Sequence, residues 1–181
     1  MKDTRKEIIR IADQLIRLRG YNAFSYADIA KELRIKNAAI HYHFPSKADL
    51  GVEVIKGAVS RFEEKSGSWI GIPLKEQYMN YVTLFRVENI NQGICLVGAL
   101  SSSFNTLPQN MQHELRRYID TLLDWLTNVL EAGKKEGIFT FDEAPRFKAY
   151  FIQSAMLASL LLNKILADDV CRHIHDSVLN I

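Results

Sequence analysis

Apolar residues in this chain recur every three or four positions along nearly its whole length, and no stretch alternates apolar with polar residues over the span of a strand. That spacing lines one face of a helix, so an all-α fold is expected. With 181 residues and 48% hydrophobic content the chain can bury a sizeable core, as one domain or two small ones. Its most apolar run, "SAMLASLLLNKIL", is too short and too interrupted to span a bilayer, and no basic segment followed by an apolar stretch and a small-residue cleavage site opens the sequence. A soluble cytoplasmic protein with no membrane partner is expected. Cys95 and Cys171 lie far apart and outside any C-x-x-C pair, which argues against a disulfide scaffold and a four-ligand zinc module.

Charge is distributed unevenly. Residues 1–50 hold ten Lys or Arg against six Asp or Glu, a net +4, whereas the remainder carries a net −2. A polyanion partner at the N-terminal end fits that distribution.

The first helix is expected to start at Thr4, where Thr4-x-x-Glu7 has capping-box spacing, and to stop at Gly20. Ser25-x-x-Asp28 opens a second, with Ile29, Ala30 and Leu33 facing inward, and Arg34 and Ile35 form a turn. A third helix, roughly 37–44, is only ~10 Å long and depends on its neighbours for stability. Ile40 and Phe44, four apart, anchor one face, which leaves Asn37, Ala38, His41 and Tyr42 pointing outward. Pro45 ends it, and Ser46-x-x-Asp49 caps a fourth helix over about 47–66 with Lys47 in its first turn. A cation there is unfavourable on dipole grounds and makes sense beside an anion. Backbone N–H groups with Lys47 would clamp a phosphate, and Tyr42 would donate its hydroxyl to the same strand. Two helices joined by a tight turn read as a helix-turn-helix whose short second helix enters the major groove.

The string "GYNAFSYADIAKELRIKNAAIHYHFPSKADL", Gly20 to Leu50, resembles the N-terminal pattern of the TetR family of transcriptional regulators. The resemblance implies a three-helix DNA-binding domain at 1–50, a connecting fourth helix, and a larger helical ligand-binding and dimerisation domain at 67–181. It also implies backbone contacts at Tyr26, Tyr42, His43 and Lys47, and base contacts at Asn37, Ala38, Ala39 and His41. Asn37 can pair with adenine and the alanines can touch a thymine methyl. Four residues depart from the family pattern: Arg34 stands where a turn glycine is usual, Lys36 for a capping serine, Ala38 for glycine and His41 for tyrosine. Lys36 thereby adds a charge beside the groove. "GICLVG", Gly93 to Gly98, resembles a short motif of one branch of the family.

Beyond "KSGSWIGIP", Lys65 to Pro73, which reads as a link, longer helices are expected at about 74–90, 94–103, 109–136, 144–166 and 168–179. The 144–166 helix is apolar nearly all round and must be buried on several sides. Its margin of Leu157, Leu160, Leu161 and Lys164 suits a partner subunit, and the resemblance implies a homodimer through a four-helix bundle. Such a dimer reads a palindromic operator in double-stranded DNA. Trp69, Tyr78, Tyr81, Phe85, Phe104, Met111, Trp125, Phe151 and Met156 suit an apolar cavity for a flat or hydrophobic small-molecule effector, whose binding would release the operator. Cys95 is a second candidate trigger, since thiols that open helices ionise more readily and react with oxidants or electrophiles.

Other classes fare less well. No G-x-S-x-G, H-E-x-x-H or phosphate-binding glycine loop is present, so neither an enzyme nor a cofactor is expected. His41-x-His43 does not suggest a metal, because residues two apart on a helix point in nearly opposite directions. Cys171 and His175, four apart, suit a packed terminal helix better than a metal shared across a dimer. A helical protein-interaction module would leave Lys47, Tyr42 and the front-loaded charge without purpose.

Overall fold

The computed structural model describes residues 3–90, 94–166, 168–179 and 181, and among these it contains nine α-helices and no strand. They are α1 (Thr4–Arg19), α2 (Tyr26–Leu33), α3 (Asn37–His43), α4 (Lys47–Ser68), α5 (Leu74–Ile90), α6 (Leu96–Ser101), α7 (Gln109–Lys135), α8 (Pro145–Asn163) and α9 (Val170–Val178). None is long and apolar enough to cross a membrane. Gly93, the first residue of "GICLVG", lies outside the described residues.

Helix ends follow local chemistry. Helix α1 starts at Thr4 as expected, but its cap is Asp3, whose carboxylate accepts from the backbone N–H of Arg5 at 3.1 Å, in place of the Thr4-x-x-Glu7 box. Gly20, at φ 87°, stops it. The Asp28 carboxylate accepts from the backbone N–H and the hydroxyl of Ser25, each at 2.7 Å, to open α2. Ser46 and Asp49 form the matching reciprocal cap of α4, with Ser46 N–H donating to Asp49 at 3.0 Å and Asp49 N–H to the Ser46 hydroxyl at 3.1 Å. Helix α4 continues through Ser68, so the link to α5 is shorter than "KSGSWIGIP" suggests.

Between α2 and α3 the chain turns through Arg34, at φ 55° and ψ 42°. Ile35 N–H reaches back to the Ala30 carbonyl at 3.0 Å and closes the helix end. Arg34 is the one non-glycine with positive φ among the described residues. The left-handed conformation costs a residue with a Cβ about 1–2 kcal/mol.

Two compact units form, one made of the chain up to Arg61 with Leu96–Tyr118, the other of Phe62–Cys95 with Ile119–Ile181. Residues 96–118 thus pack with the N-terminal helices although they lie inside the 67–181 segment read from sequence as the second domain. In the first unit Ile8, Ile16, Ile29, Ile40, Leu50 and Ile55 have no exposed surface. They belong to a core that Leu96, Leu100 and Met111 complete. Gly51 gives Met111 room in that core: a Cβ there would sit 2.5 Å from the Met111 sulfur.

In the second unit, Tyr81 stacks on Trp125 with ring centroids 5.3 Å apart at 19°, while Phe62 and Trp69 meet Trp125 edge-on. The Tyr81 hydroxyl donates to the buried Gln153 side-chain oxygen. The Tyr78 hydroxyl donates to the Val178 carbonyl and ties α5 to α9, and burial pushes that phenol above its ordinary pKa. A Cβ on Gly133 would lie 2.1 Å from the Phe139 ring, so this helix position must stay bare.

Candidate nucleic-acid interface

The interface is built by burying one side of a helix too short to stand alone. Ile40 is fully buried and Phe44 is 1% exposed, so α3 is seated from beneath by these two anchors. Its other side faces outward: Lys36, Asn37, Ala38, His41 and Tyr42 are exposed, and Ala39 and His43 are half-buried. Tyr42, at 84% exposure, is an aromatic ring that the fold leaves in solvent. The His43 ring meets it edge-on at 5.2 Å.

Two expected phosphate contacts are placed differently. Tyr26 is buried, and its hydroxyl donates to the Phe44 carbonyl at 2.9 Å, satisfying a backbone group at the end of α3. Its ring also meets His41 edge-on at 4.8 Å. Tyr26 therefore seats the recognition helix from below rather than pointing away from the protein. Burial, with Asp49 and then Tyr21 adding to it, pushes its phenol up to about 12.

Lys47 is half-buried. Its ammonium donates to the Tyr21 carbonyl at 2.6 Å and the Phe24 carbonyl at 2.5 Å, and lies 4.6 Å and 4.2 Å from the centroids of those two rings. Two of its three N–H groups thus hold the 21–24 segment that leads into α2. Burial lowers its pKa from the ordinary lysine value, and the Asp28 carboxylate opposes that shift. The cation in the first turn of α4 is an internal brace as well as a candidate anchor.

The charges sort themselves around this surface. Among the described cations up to Arg61, Arg5 and Lys56 pair with Glu53, Lys6 with Asp3, Arg10 with Glu7, Arg17 and Arg61 with Asp13, and Arg19 with Asp28. Lys31, Arg34 and Lys36 are exposed, and their side chains have no ion pair or hydrogen bond among the described residues. All three flank the turn into α3. Sequence reading picked out Lys36 but passed over Lys31 and Arg34. A signal was present for Arg34, since neither three nor four residues away on either side does it have an acid.

The aromatic set expected to line one cavity is divided by the fold. Met111 packs beneath Gly51 in the first unit, and Phe104 lies there under the Arg116 guanidinium, 4.8 Å from the ring centroid. Phe151 is 62% exposed. Tyr78, Tyr81, Phe85 and Met156 are buried in the second unit, with Trp69 and Trp125 half-buried beside them. An open cavity of about 250 Å³ in that unit is lined by Lys65, Trp69, Asn80, Thr83 and Leu84, so Trp69 alone of the expected set borders it. Cys95 is half-buried just before α6.

The α8 surface is also redistributed. Leu160 is 1% exposed and faces its own unit, and Leu157 is half-buried. The outward side is formed instead by Phe147, Tyr150, Phe151, Leu161 and Leu162, continued just past the helix end by Ile165, which is 80% exposed. Lys164 is exposed beside it.

A short helix seated by two apolar anchors, presenting amide, imidazole and phenol groups and flanked by unpaired cations, defines a helix-turn-helix DNA-binding regulator. A family model described as bacterial regulatory proteins, tetR family, matches residues 8–54. Over the whole chain, a TetR transcriptional regulator from Legionella pneumophila is 30% identical with a TM-score of 0.86, covering 98% of this chain and 96% of that one. A TetR-family regulator from Agrobacterium tumefaciens is 28% identical at a TM-score of 0.92, with the same coverage of both. The HTH-type transcriptional repressor NemR of Escherichia coli (strain K12) is 20% identical over 170 residues, 90% of this chain and 85% of that protein. The chain belongs to the TetR family of transcriptional regulators.

Proposed function

We propose that this regulator is a homodimeric repressor that binds a palindromic operator through α3 and is released by a small apolar or aromatic effector held in the second unit. The observation that carries the DNA reading is the outward face of α3: Asn37, His41 and Tyr42 are exposed while Ile40 and Phe44 anchor the helix. Asn37, Ala38, Ala39 and His41 would meet base edges, and Lys36, Tyr42 and His43 the sugar-phosphate backbone.

The apolar outer face of α8 supports the dimer. Exposed rings at Phe147 and Phe151 and an exposed Ile165 on one helix and its extension are costly in water, and a second copy would cover them. The effector reading is supported by the Tyr81–Trp125 cluster and by the buried His175 Nε2, which has no hydrogen-bond partner among the described residues and suits a polar group on a ligand. An effector that favours a dimer arrangement unable to meet two successive major grooves would lower operator affinity. A hundredfold loss needs about 2.7 kcal/mol of coupling. A sensor working through Cys95 is the less favoured route, because the helix it precedes is only 6 residues long and its partial charges are correspondingly small.

Sedimentation of the wild type and of Ile165→Glu tests the assembly. The wild type should sediment as a dimer and the variant should shift toward monomer, with loss of operator affinity. A monomeric wild type that binds a palindrome as tightly as expected for two half-sites would exclude the arrangement.

A further inference from the structure

We propose that Arg34 is a phosphate-contacting residue of the DNA interface, acting with Lys31 and Lys36 to grip the strand beside the groove that α3 enters. The inference rests on the DNA-binding reading and adds to it a residue at a position where the family pattern has a glycine. Three observations converge. First, Arg34 holds a left-handed conformation, φ 55° and ψ 42°, that glycine adopts without penalty. Second, its side chain is exposed and makes no ion pair or hydrogen bond among the described residues, so the guanidinium does nothing there to offset that penalty. Third, Arg34 stands between two further cations in the same condition, Lys31 and Lys36, while the other described arginines and lysines up to Arg61 have partners.

Lys31 and Arg34 add two exposed positive charges at the C-terminal end of α2. A phosphate beside them would compensate for the backbone penalty with favourable charged contacts. Glu32 is the one carboxylate within residues 31–36, which keep a net charge of +2, and a guanidinium matches phosphate geometry with two parallel N–H donors. The turn itself stays intact, since Ile35 N–H still closes α2 on the Ala30 carbonyl at 3.0 Å. Arg34 is thus a residue kept for its charge against the preference of its backbone.

Fluorescence anisotropy with a labelled mixed-sequence duplex, repeated across salt concentrations, tests this in the full-length protein. Arg34→Gln and Arg34→Lys share the backbone penalty and differ in charge. Arg34→Gln should bind more weakly and reduce the slope of log affinity against log salt by about 0.9 for each phosphate it no longer neutralises. Between about 50 and about 200 mM salt its affinity should therefore change about threefold less per phosphate than the wild type's. Arg34→Lys should keep the wild-type slope. Arg34→Gly should bind like Arg34→Gln while melting no lower than the wild type. Equal slopes for Arg34→Gln and Arg34→Lys, with Lys36→Gln still reducing the slope, would overturn the role of Arg34 and leave the interface standing. A wild type that binds no duplex at low salt would overturn the DNA-binding reading itself.

Discussion

The Lys47 ammonium donates to the Phe24 carbonyl and lies 4.2 Å from the centroid of the Phe24 ring, which fastens the start of α4 to the segment that enters α2. A side chain whose spacing pointed to phosphate thus also acts inside the protein. The two roles separate on removal of the charge. Lys47→Met leaves two partly buried carbonyls without this donor and should destabilise the fold by about 1–3 kcal/mol. Chemical denaturation measures that loss. If bracing is the main role, the salt slope of DNA binding should stay near the wild-type value while affinity falls. An unchanged stability with a slope reduced by about 0.9 per phosphate would identify Lys47 as a phosphate anchor alone.

Tyr26 makes the corresponding contact from α2, donating to the Phe44 carbonyl at 2.9 Å. Its phenol titrates at about 12 in the fold against an ordinary value of 10.0. A folded-state pKa raised in this way means that the neutral form is the one the fold favours. The stabilisation is complete below pH 10 and is lost as pH rises toward 12. Tyr26→Phe should lower stability at neutral pH by about 1 kcal/mol and flatten the fall in stability over that alkaline window. Denaturation midpoints collected from neutral to alkaline pH report both, and parallel curves for the two proteins would contradict the assignment.

Gly51 and Gly133 both sit in helices against a neighbour, yet alanine should behave differently at each. At Gly51 the obstructing atoms are the Met111 sulfur and terminal methyl, at 2.5 Å, the far end of a flexible chain that can move aside. Helix propensity improves by about 1 kcal/mol, so Gly51→Ala should be nearly neutral. At Gly133 the obstacle is the Phe139 ring, at 2.1 Å, which is rigid and buried. Gly133→Ala should cost about 1–3 kcal/mol, and thermal melting of the two variants side by side will rank them.

Much of the fold was legible because helix signals are local. The Ser25–Asp28 and Ser46–Asp49 caps and Gly20 as a stop are set by residues within one turn. The outward face of α3 was also legible, since Ile40 and Phe44 mark the buried side of a helix with few other options. Tertiary destinations were not. Met111 and Phe104 share the size and apolarity of Tyr81 and Trp125, and only the return of 96–118 to the N-terminal helices puts them in a different core. Leu160 and Leu161 are neighbours in sequence, and one is buried while the other is 39% exposed. Helix α8 is apolar on nearly every side, so its sequence does not say which side meets its own unit. The brace made by Lys47 was hidden for the same reason, because its acceptors are backbone carbonyls 26 and 23 residues earlier in the chain.

The most direct test is selection of duplexes from a randomised library by the wild type and by Asn37→Ala, followed by affinity measurement on the recovered sequences. The wild type should recover a palindrome with half-sites one helical turn or a multiple apart, and Asn37→Ala should change the bases at one position of each half-site with little change in salt slope. Recovery of the same sequence by both proteins, or of none by the wild type, would contradict base reading by α3.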